Sequence, residues 1–267
     1  MKSIVILTSN SLRHDYLRIM FGLNPEINVL RSYIEVPKNI ETQQDLSEIE
    51  KNHFLTRSKT EIDFFSDIVS SSKDSSNPVS VEKNNINDQS YINEVKKLNP
   101  DLIITFGCCI IRENFLEAFK NKIINVHLGI SPYYLGAGTN FISMVNNDLQ
   151  CTGYTFMYMD QGIDTGEIIH QARAEVYLFD NMHQIGNRLI KNMVHDFVKL
   201  VSNFHLIKKI HPVASNINPI ICFNRDATKL KTIELYNNFL NGAVKNFLAN
   251  KEELESRYPI IEQNFLK

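Results

Sequence analysis

Two short stretches hold side chains whose types and spacing suit chemistry on a carbonyl group. "INVHLGISPYYLGAGTNF" sets Asn125 and His127 two residues apart at the end of an apolar run, ahead of a proline and several glycines. "MDQGIDTGEII" then sets Asp164 in a loop between Gly162 and Gly166. An amide N–H can donate to a developing oxyanion. An imidazole moves protons near neutral pH, and a carboxylate can hold its tautomer or pass a proton on through water. Each piece alone is weak. A lone histidine at a strand end is more often a hydrogen-bonded structural residue, and an aspartate among glycines is an equally good loop-capping acceptor. Gly162 and Gly166 allow φ > 0 and close backbone approach, so that a ligand can lie flat against that loop.

The elements that position these residues read as a parallel α/β sheet. "SIVILTSNS" is a short buried strand, "RHDYLRIMFGL" a helix with apolar residues at helical spacing, and "INVLRSYIE" a second strand. After Val36 the pattern degrades. "EIEKNHFLTRSKTEIDFFSDIV" predicts one helix or two, with Phe64 and Phe65 inward, and the polar "SSSKDSSNPVSVEKNNINDQ" predicts an exposed loop or insertion. Regularity returns with the helix "SYINEVKKLNP", stopped by Pro100, and with "DLIITFG", an apolar run suited to a central strand covered on both faces. "IRENFLEAF" is a helix, "KIINVHLG" a strand, "TNFISMVNN" a helix and "CTGYTFMYMD" a strand. No internal repeat is present. From about His205 a small C-terminal appendage holds one strand candidate, "NPIICFN", and one helix, "TIELYNNFLNGAVKNFLAN". The expectation is a Rossmann-like, open, mostly parallel sheet with helices on both faces, residues 1–205, and an extension over 206–267. Both motifs then follow strands, at the carboxyl ends where ligands bind in open sheets.

Bulk properties narrow the classes of function. Of the 267 residues, 43% are hydrophobic and 22% charged, an ordinary globular composition. A formal net charge of −2 supplies no global field for a nucleic acid. The apolar run Ile4 to Leu7 is too short for a signal-peptide core, and no segment approaches the ~20 apolar residues of a membrane helix. The four cysteines, Cys108, Cys109, Cys151 and Cys222, show no CxxC spacing, which suits reduced thiols in a cytoplasmic protein. His170, His183, His195, His205 and His211 are scattered without metal-ligand spacing, so no metal is expected. The first strand–helix turn, "TSNSLRH", lacks the GxGxxG of a dinucleotide oxidoreductase.

"NVHLGISPYYLGAG" followed by "GIDTGEII" resembles the formyltransferases that use N10-formyltetrahydrofolate, whose members run an Asn-x-His segment into a proline-containing turn and then an Asp-Thr-Gly loop. The resemblance covers roughly residues 100–200. It implies a Rossmann-like fold, Asn125, His127 and Asp164 as the catalytic trio, and N10-formyltetrahydrofolate as co-substrate. "TFGCCIIREN" matches the loop that borders the folate pocket. The resemblance therefore implies that Gly107, Cys108, Cys109, Ile110 and Ile111, with Asp160, Gly162 and Ile163, bind the pterin through backbone. No covalent nucleophile is required, so Cys108 and Cys109 are equally read as small buried residues after a core strand.

Within that family the turn "HLGISPYYLGAGTNF" departs from the tRNA-type pattern and is most similar to the sugar N-formyltransferases, which modify nucleotide-linked amino sugars for surface polysaccharides. About 60 residues follow His205, and they read as helical rather than as the barrel of the methionyl-tRNA enzymes. The implied partners are a folate donor and a nucleotide-linked amino sugar, without nucleic acid or membrane, in a possible homodimer. Tyr133, Tyr134 and Asn140 border the acceptor side, where the tyrosines equally suit core cover. Arg13 and His14 open the first helix. An arginine there opposes the helix dipole unless an anion such as a diphosphate meets it, and a solvated surface pair is the other reading. His53 and Arg57 reach toward the same cleft. A different small amine as acceptor, or a non-catalytic folate or nucleotide-sugar binding domain, are the alternative functions.

Overall fold

The computed structural model describes residues 1–37, 46–211 and 218–267. Part of the irregular stretch after Val36 and part of the C-terminal extension lie outside the described residues. The strands are β1 (Lys2–Ser9), β2 (Ile27–Val36), β3 (Pro78–Glu82), β4 (Leu102–Phe106), β5 (Ile123–His127), β6 (Tyr134–Gly136), β7 (Gly153–Tyr158), β8 (Ile168–Arg173) and β9 (Ile220–Cys222). The helices are α1 (Leu12–Leu23), α2 (Glu48–Ser71), α3 (Gln89–Leu98), α4 (Glu113–Ala118), α5 (Thr139–Val145), α6 (Met182–Ser202), α7 (Lys229–Leu240), α8 (Ala243–Ala249) and α9 (Lys251–Ser256).

Seven strands form one sheet in the order β3-β2-β1-β4-β5-β7-β8. The first five run parallel, and β7 and β8 continue antiparallel. The order reverses direction between β1 and β4, which makes the crevice at their carboxyl ends the topological switch point. Period-2 alternation divides the core between the faces. Ile4 and Ile6 of β1, with Ile104 and Phe106 of β4, pack against residues of α1 and α6 such as Leu17, Phe21 and Phe197. Val5 and Leu7, with Ile103, pack on the other face against Ile92 and Val95 of α3 and Phe115 of α4. Strands buried on both sides have no solvent face to alternate with, hence the apolar runs Ile4–Leu7 in β1 and Leu102–Ile104 in β4.

Local signals account for several boundaries. The Ser47 N–H donates to Glu50 Oε2 at 2.9 Å, part of a capping box at the start of α2. α2 is one helix of 24 residues, with Phe65 buried and Phe64 partly buried. α3 closes on Asn99 in the left-handed region, one residue before Pro100.

Two sequence expectations are corrected. The polar stretch before α3 is not simply an exposed loop, because Pro78–Glu82 forms β3, the parallel partner of β2 at the sheet edge. An edge strand needs hydrogen bonds on one side only, and Val81 alone of its residues is deeply buried, so little of it reads as a strand. The single C-terminal helix is instead α7 and α8, broken at Gly242 with φ +90, followed by α9.

The C-terminal segment packs back onto the sheet-bearing body. β9 pairs in parallel with β6, and Leu235, Val244 and Phe247 join the larger core. The Gln171 N–H donates to Ile261 O at 2.7 Å, while the Ile261 and Gln263 N–H groups donate to Gln171 Oε1 and His170 Nδ1 at 3.0 Å each.

Candidate active site

β5 carries Asn125 and His127 on one face near the carboxyl end of the parallel strands, and the β7–β8 loop delivers Asp164 to them. His127 Nδ1 lies 3.1 Å from Asp164 Oδ2, and Asn125 Nδ2 lies 3.4 Å from Asp164 Oδ1. His127 Nε2 is 2.9 Å from the carbonyl oxygen of Tyr134. The carbonyl and the carboxylate both accept, so only a ring protonated at both nitrogens donates to both. Thr105, fully buried on β4, donates its hydroxyl to Asn125 Oδ1 at 2.7 Å. The Asp164 carboxylate can only accept, so the NH2 of Asn125 faces it and the Thr105 hydroxyl donates to the oxygen. The Gly136 N–H donates to Asp164 Oδ2 at 2.9 Å. Burial alone would push the Asp164 carboxyl up, but the hydrogen bond and charge of His127 and the Gly136 N–H bring it below the usual range.

Glycines around the trio leave room that any side chain would fill. A Cβ on Gly129 would stand 2.5 Å from His127 Nε2, and one on Gly136, with φ +95, would stand 2.2 Å from Cys222 O. Sequence reasoning missed Thr105 and Gly136. Neither is chemically conspicuous, and each acts through a partner distant in the chain. Of the loop that Gly162 and Gly166 flank, the left-handed residue is Asp164 itself, with φ 53, and neither glycine uses the positive φ open to it. The expected close approach is present, since a Cβ on Gly166 would meet Tyr158 O at 1.7 Å. Loop capping falls to Asp160, whose Oδ1 accepts from the Gly162 N–H at 3.0 Å and the Thr165 hydroxyl at 2.9 Å.

The loop after β4 borders this site. Gln161 donates to Glu113 Oε1 at 2.8 Å, tying the Asp164 loop to the start of α4. Met159, Cys108, Cys109 and Ile111 pack on one cluster, while Ile110 (83% exposed) and Ile163 (57%) present apolar side chains to solvent from the two loops. Gly107, with φ +65, lies over His14, whose Nε2 would be 2.5 Å from a Cβ there. Burial raises both thiols, Cys108 strongly and Cys109 to about 12, so neither is a ready nucleophile at neutral pH. At the switch point a cavity of about 300 Å³ is lined by Ser9, Asn10, Glu35, Lys83 and Gly107–Cys109 among others. Among the described residues no group of three His, Cys, Asp or Glu side chains is placed to hold a metal ion.

The residues expected on the acceptor side divide. Arg13 and Arg57 converge on Glu61 of α2, Arg57 Nε at 3.3 Å from Glu61 Oε1. Burial, then Arg57, lowers the Arg13 guanidinium against the opposing pull of Glu61. His14 is turned inward instead, its Nδ1 2.7 Å from the Ser11 hydroxyl and its ring 4.8 Å from that of Phe106. Burial, then the Arg13, Arg18 and Arg57 charges, holds it down to about 3. Tyr133 and Tyr134 are buried, their hydroxyls donating to Pro259 O at 2.7 Å and Asp148 Oδ2 at 2.5 Å. Asn140 exchanges two hydrogen bonds with the Gly153 backbone. Tyr133, Tyr134 and Asn140 thus have their side-chain polar atoms bonded within the protein. His53 packs beside His183, Phe141 and Tyr236.

The family model described as Formyl transferase matches residues 47–201. The chain belongs to the formyl transferase family. Among its relatives, the methionyl-tRNA formyltransferase of Finegoldia magna is 31% identical over 171 residues, 58% of this chain and 52% of that one. The chain thus spans about half the length of this formyltransferase relative. The fold is that of solved formyltransferases: a phosphoribosylglycinamide formyltransferase from Anaplasma phagocytophilum aligns with TM-score 0.56 at 17% identity, over 84% of this chain and 99% of that one. A sugar N-formyltransferase from a Shewanella species aligns with TM-score 0.54 at 14% identity, over 88% and 87% of the two chains.

Proposed function

We propose that this formyl transferase moves a formyl group from N10-formyltetrahydrofolate to the amine of a nucleotide-linked amino sugar. The observation that carries the chemistry is the convergence of Asn125, His127 and Asp164, with each polar atom of the trio oriented by a neighbour. The amine nitrogen attacks the formyl carbon, the new C–N bond forms, and the bond to N10 of the folate breaks. Asn125 donates a free amide N–H to the carbonyl oxygen as it gains charge. His127 and Asp164 act as a unit that takes the ammonium proton and returns one to the departing N10. Asp164, more exposed than the imidazole, is the member of the pair facing the incoming amine. Backbone groups of residues 107–111 and 160–163, with Ile110 and Ile163 as apolar faces, fit a flat pterin that carries hydrogen-bonding edges.

For the acceptor, the Arg13–Arg57 pair beside one carboxylate supports an anionic, nucleotide-bearing substrate. The alignment along most of a sugar N-formyltransferase is compatible with that class. A second reading, an aminoacyl-tRNA acceptor, is favoured by the name of the Finegoldia relative. The net charge of −2 weighs against it. The test is tetrahydrofolate release from N10-formyltetrahydrofolate with dTDP-, UDP- and GDP-linked amino sugars and with methionyl-tRNA. Release with one nucleotide sugar, abolished in His127→Asn, supports the proposal. Release with methionyl-tRNA alone replaces the acceptor, and release without any acceptor replaces transfer by hydrolysis.

A further inference from the structure

The loop Gly107–Arg112 between β4 and α4 has no regular secondary structure, so its backbone polar groups need partners from elsewhere. Two buried side chains supply several of them. Glu35, on β2 and 6% exposed, accepts from the N–H groups of Cys109 and Asn84, the latter at 3.0 Å. Asn87, 3% exposed, accepts from the Arg112 N–H at 2.7 Å and donates to Ile110 O at 3.1 Å and Asn84 O at 3.3 Å. The Asn114 side chain donates to the Asn87 carbonyl at 2.8 Å, closing the network onto α4. Asn84, with φ 75, lies two residues past the end of β3 and turns the chain so that its own N–H meets Glu35. One carboxylate and one amide thus grip both the β3–α3 connection and the loop after β4.

We propose that Glu35 and Asn87 are positioning residues for donor binding: they set the backbone of residues 107–112, which then presents its groups to the pterin. This rests on the donor reading above. Neither side chain needs to touch the folate. Buried backbone hydrogen bonds to a carboxylate are stronger than neutral ones, and removing the carboxylate leaves two N–H groups unpaired. The loop then samples conformations in which donor groups on Cys109 to Arg112 are misaligned. Asn125, His127 and Asp164, on β5 and the β7–β8 loop, keep their own partners.

The test pairs hydrogen–deuterium exchange with binding, on the full-length protein. In Glu35→Ala and Asn87→Ala, amides of residues 107–112 should exchange at least tenfold faster than in wild type, with β5 and β7 unchanged. The Kd for tetrahydrofolate should weaken about tenfold, the scale of one lost charge-assisted hydrogen bond. The acceptor's KM should stay within about twofold, a split that general destabilisation does not produce. Glu35→Gln, which keeps one acceptor oxygen, should recover part of both effects, and it carries the test where an alanine variant does not fold. Unchanged exchange in 107–112 overturns the proposal whatever the ligand. Faster exchange with unchanged tetrahydrofolate binding overturns the link to the donor. Failure of the wild type to bind tetrahydrofolate overturns the donor reading instead, while exchange still reports on the clamp.

Discussion

At the end of β5, three side chains meet one another; beside the end of β2, a carboxylate and an amide meet mostly main chain. The first arrangement consists of groups that can react, and the second orders a loop that has no chemistry of its own. Buried, hydrogen-bonded side chains occur in both, His127 in the first and Glu35 and Asn87 in the second, so burial and satisfaction alone do not separate groups that can exchange protons from groups that only support. What separates them is the partner: a side chain whose partner is another titratable group can exchange protons with it, whereas one whose partners are amides can only hold them in place.

The sharpest attack on this contrast is on the trio. His127→Asn and Asp164→Asn are each expected to lower kcat by about 10²–10⁴. The double variant should be little worse than either single one, because the two act as a unit. Fully additive losses, read by steady-state kinetics, would separate them. Asn125→Ala should cost about 10²–10³ in kcat with little change in donor KM, as for an oxyanion donor. A loss confined to KM would make Asn125 a binding residue.

Buried histidines away from the trio provide the opposite pole. His14 is held down to about 3, and His170 and His183 to about 4, each mainly by burial. Their folded-state values lie below the unfolded value of about 6.5, so the stability of the neutral rings is fully present above that pH. It is lost as pH falls toward 4, at up to about 1.4 kcal/mol per pH unit for each ring. Urea midpoints at pH 7.5 and 5 should show this decline, and His170→Asn should make it shallower. A flat profile would show that these rings accept protons without cost.

Thr105→Val lies between the two kinds of residue, since it removes only the hydroxyl that orients a reacting amide. It should lower kcat about tenfold, the scale of one hydrogen bond, with donor KM unchanged. No loss would mean that Asp164 alone orients Asn125. The smallest effect belongs to Cys109→Ala, expected to leave kcat within about twofold. A large loss there would give the raised thiol a part in the chemistry.

The sheet was legible wherever a strand is covered on both faces, as in β1 and β4, because burial fills most positions there with apolar residues. The trio was legible because its members are reactive types close to glycines in two short stretches. β3 was hidden because its five residues lie among serines and asparagines, and only Val81 fills the core. β8 is masked in another way, by buried His170 and Gln171, whose partners are backbone groups some 90 residues further on. Glu35 could not be singled out either: an acidic residue ending a strand is common, and its two amide partners come from segments 49 and 74 residues away. Tyr133, Tyr134 and Asn140 drew attention by type and position, yet their partners turn them inward.

The pairing of β6 with β9 has a consequence for biosynthesis. Gly136 gives its N–H to Asp164, and its flanking backbone is held by Cys222, whose carbonyl also accepts from Ala137 at 2.9 Å. A nascent chain halted on the ribosome after α6 has already made Asn125, His127 and Asp164 but has no β9 to brace the strand beside them. Such a chain should translate its whole reacting centre and still lack turnover, which would appear only once residues 220–222 have cleared the exit tunnel.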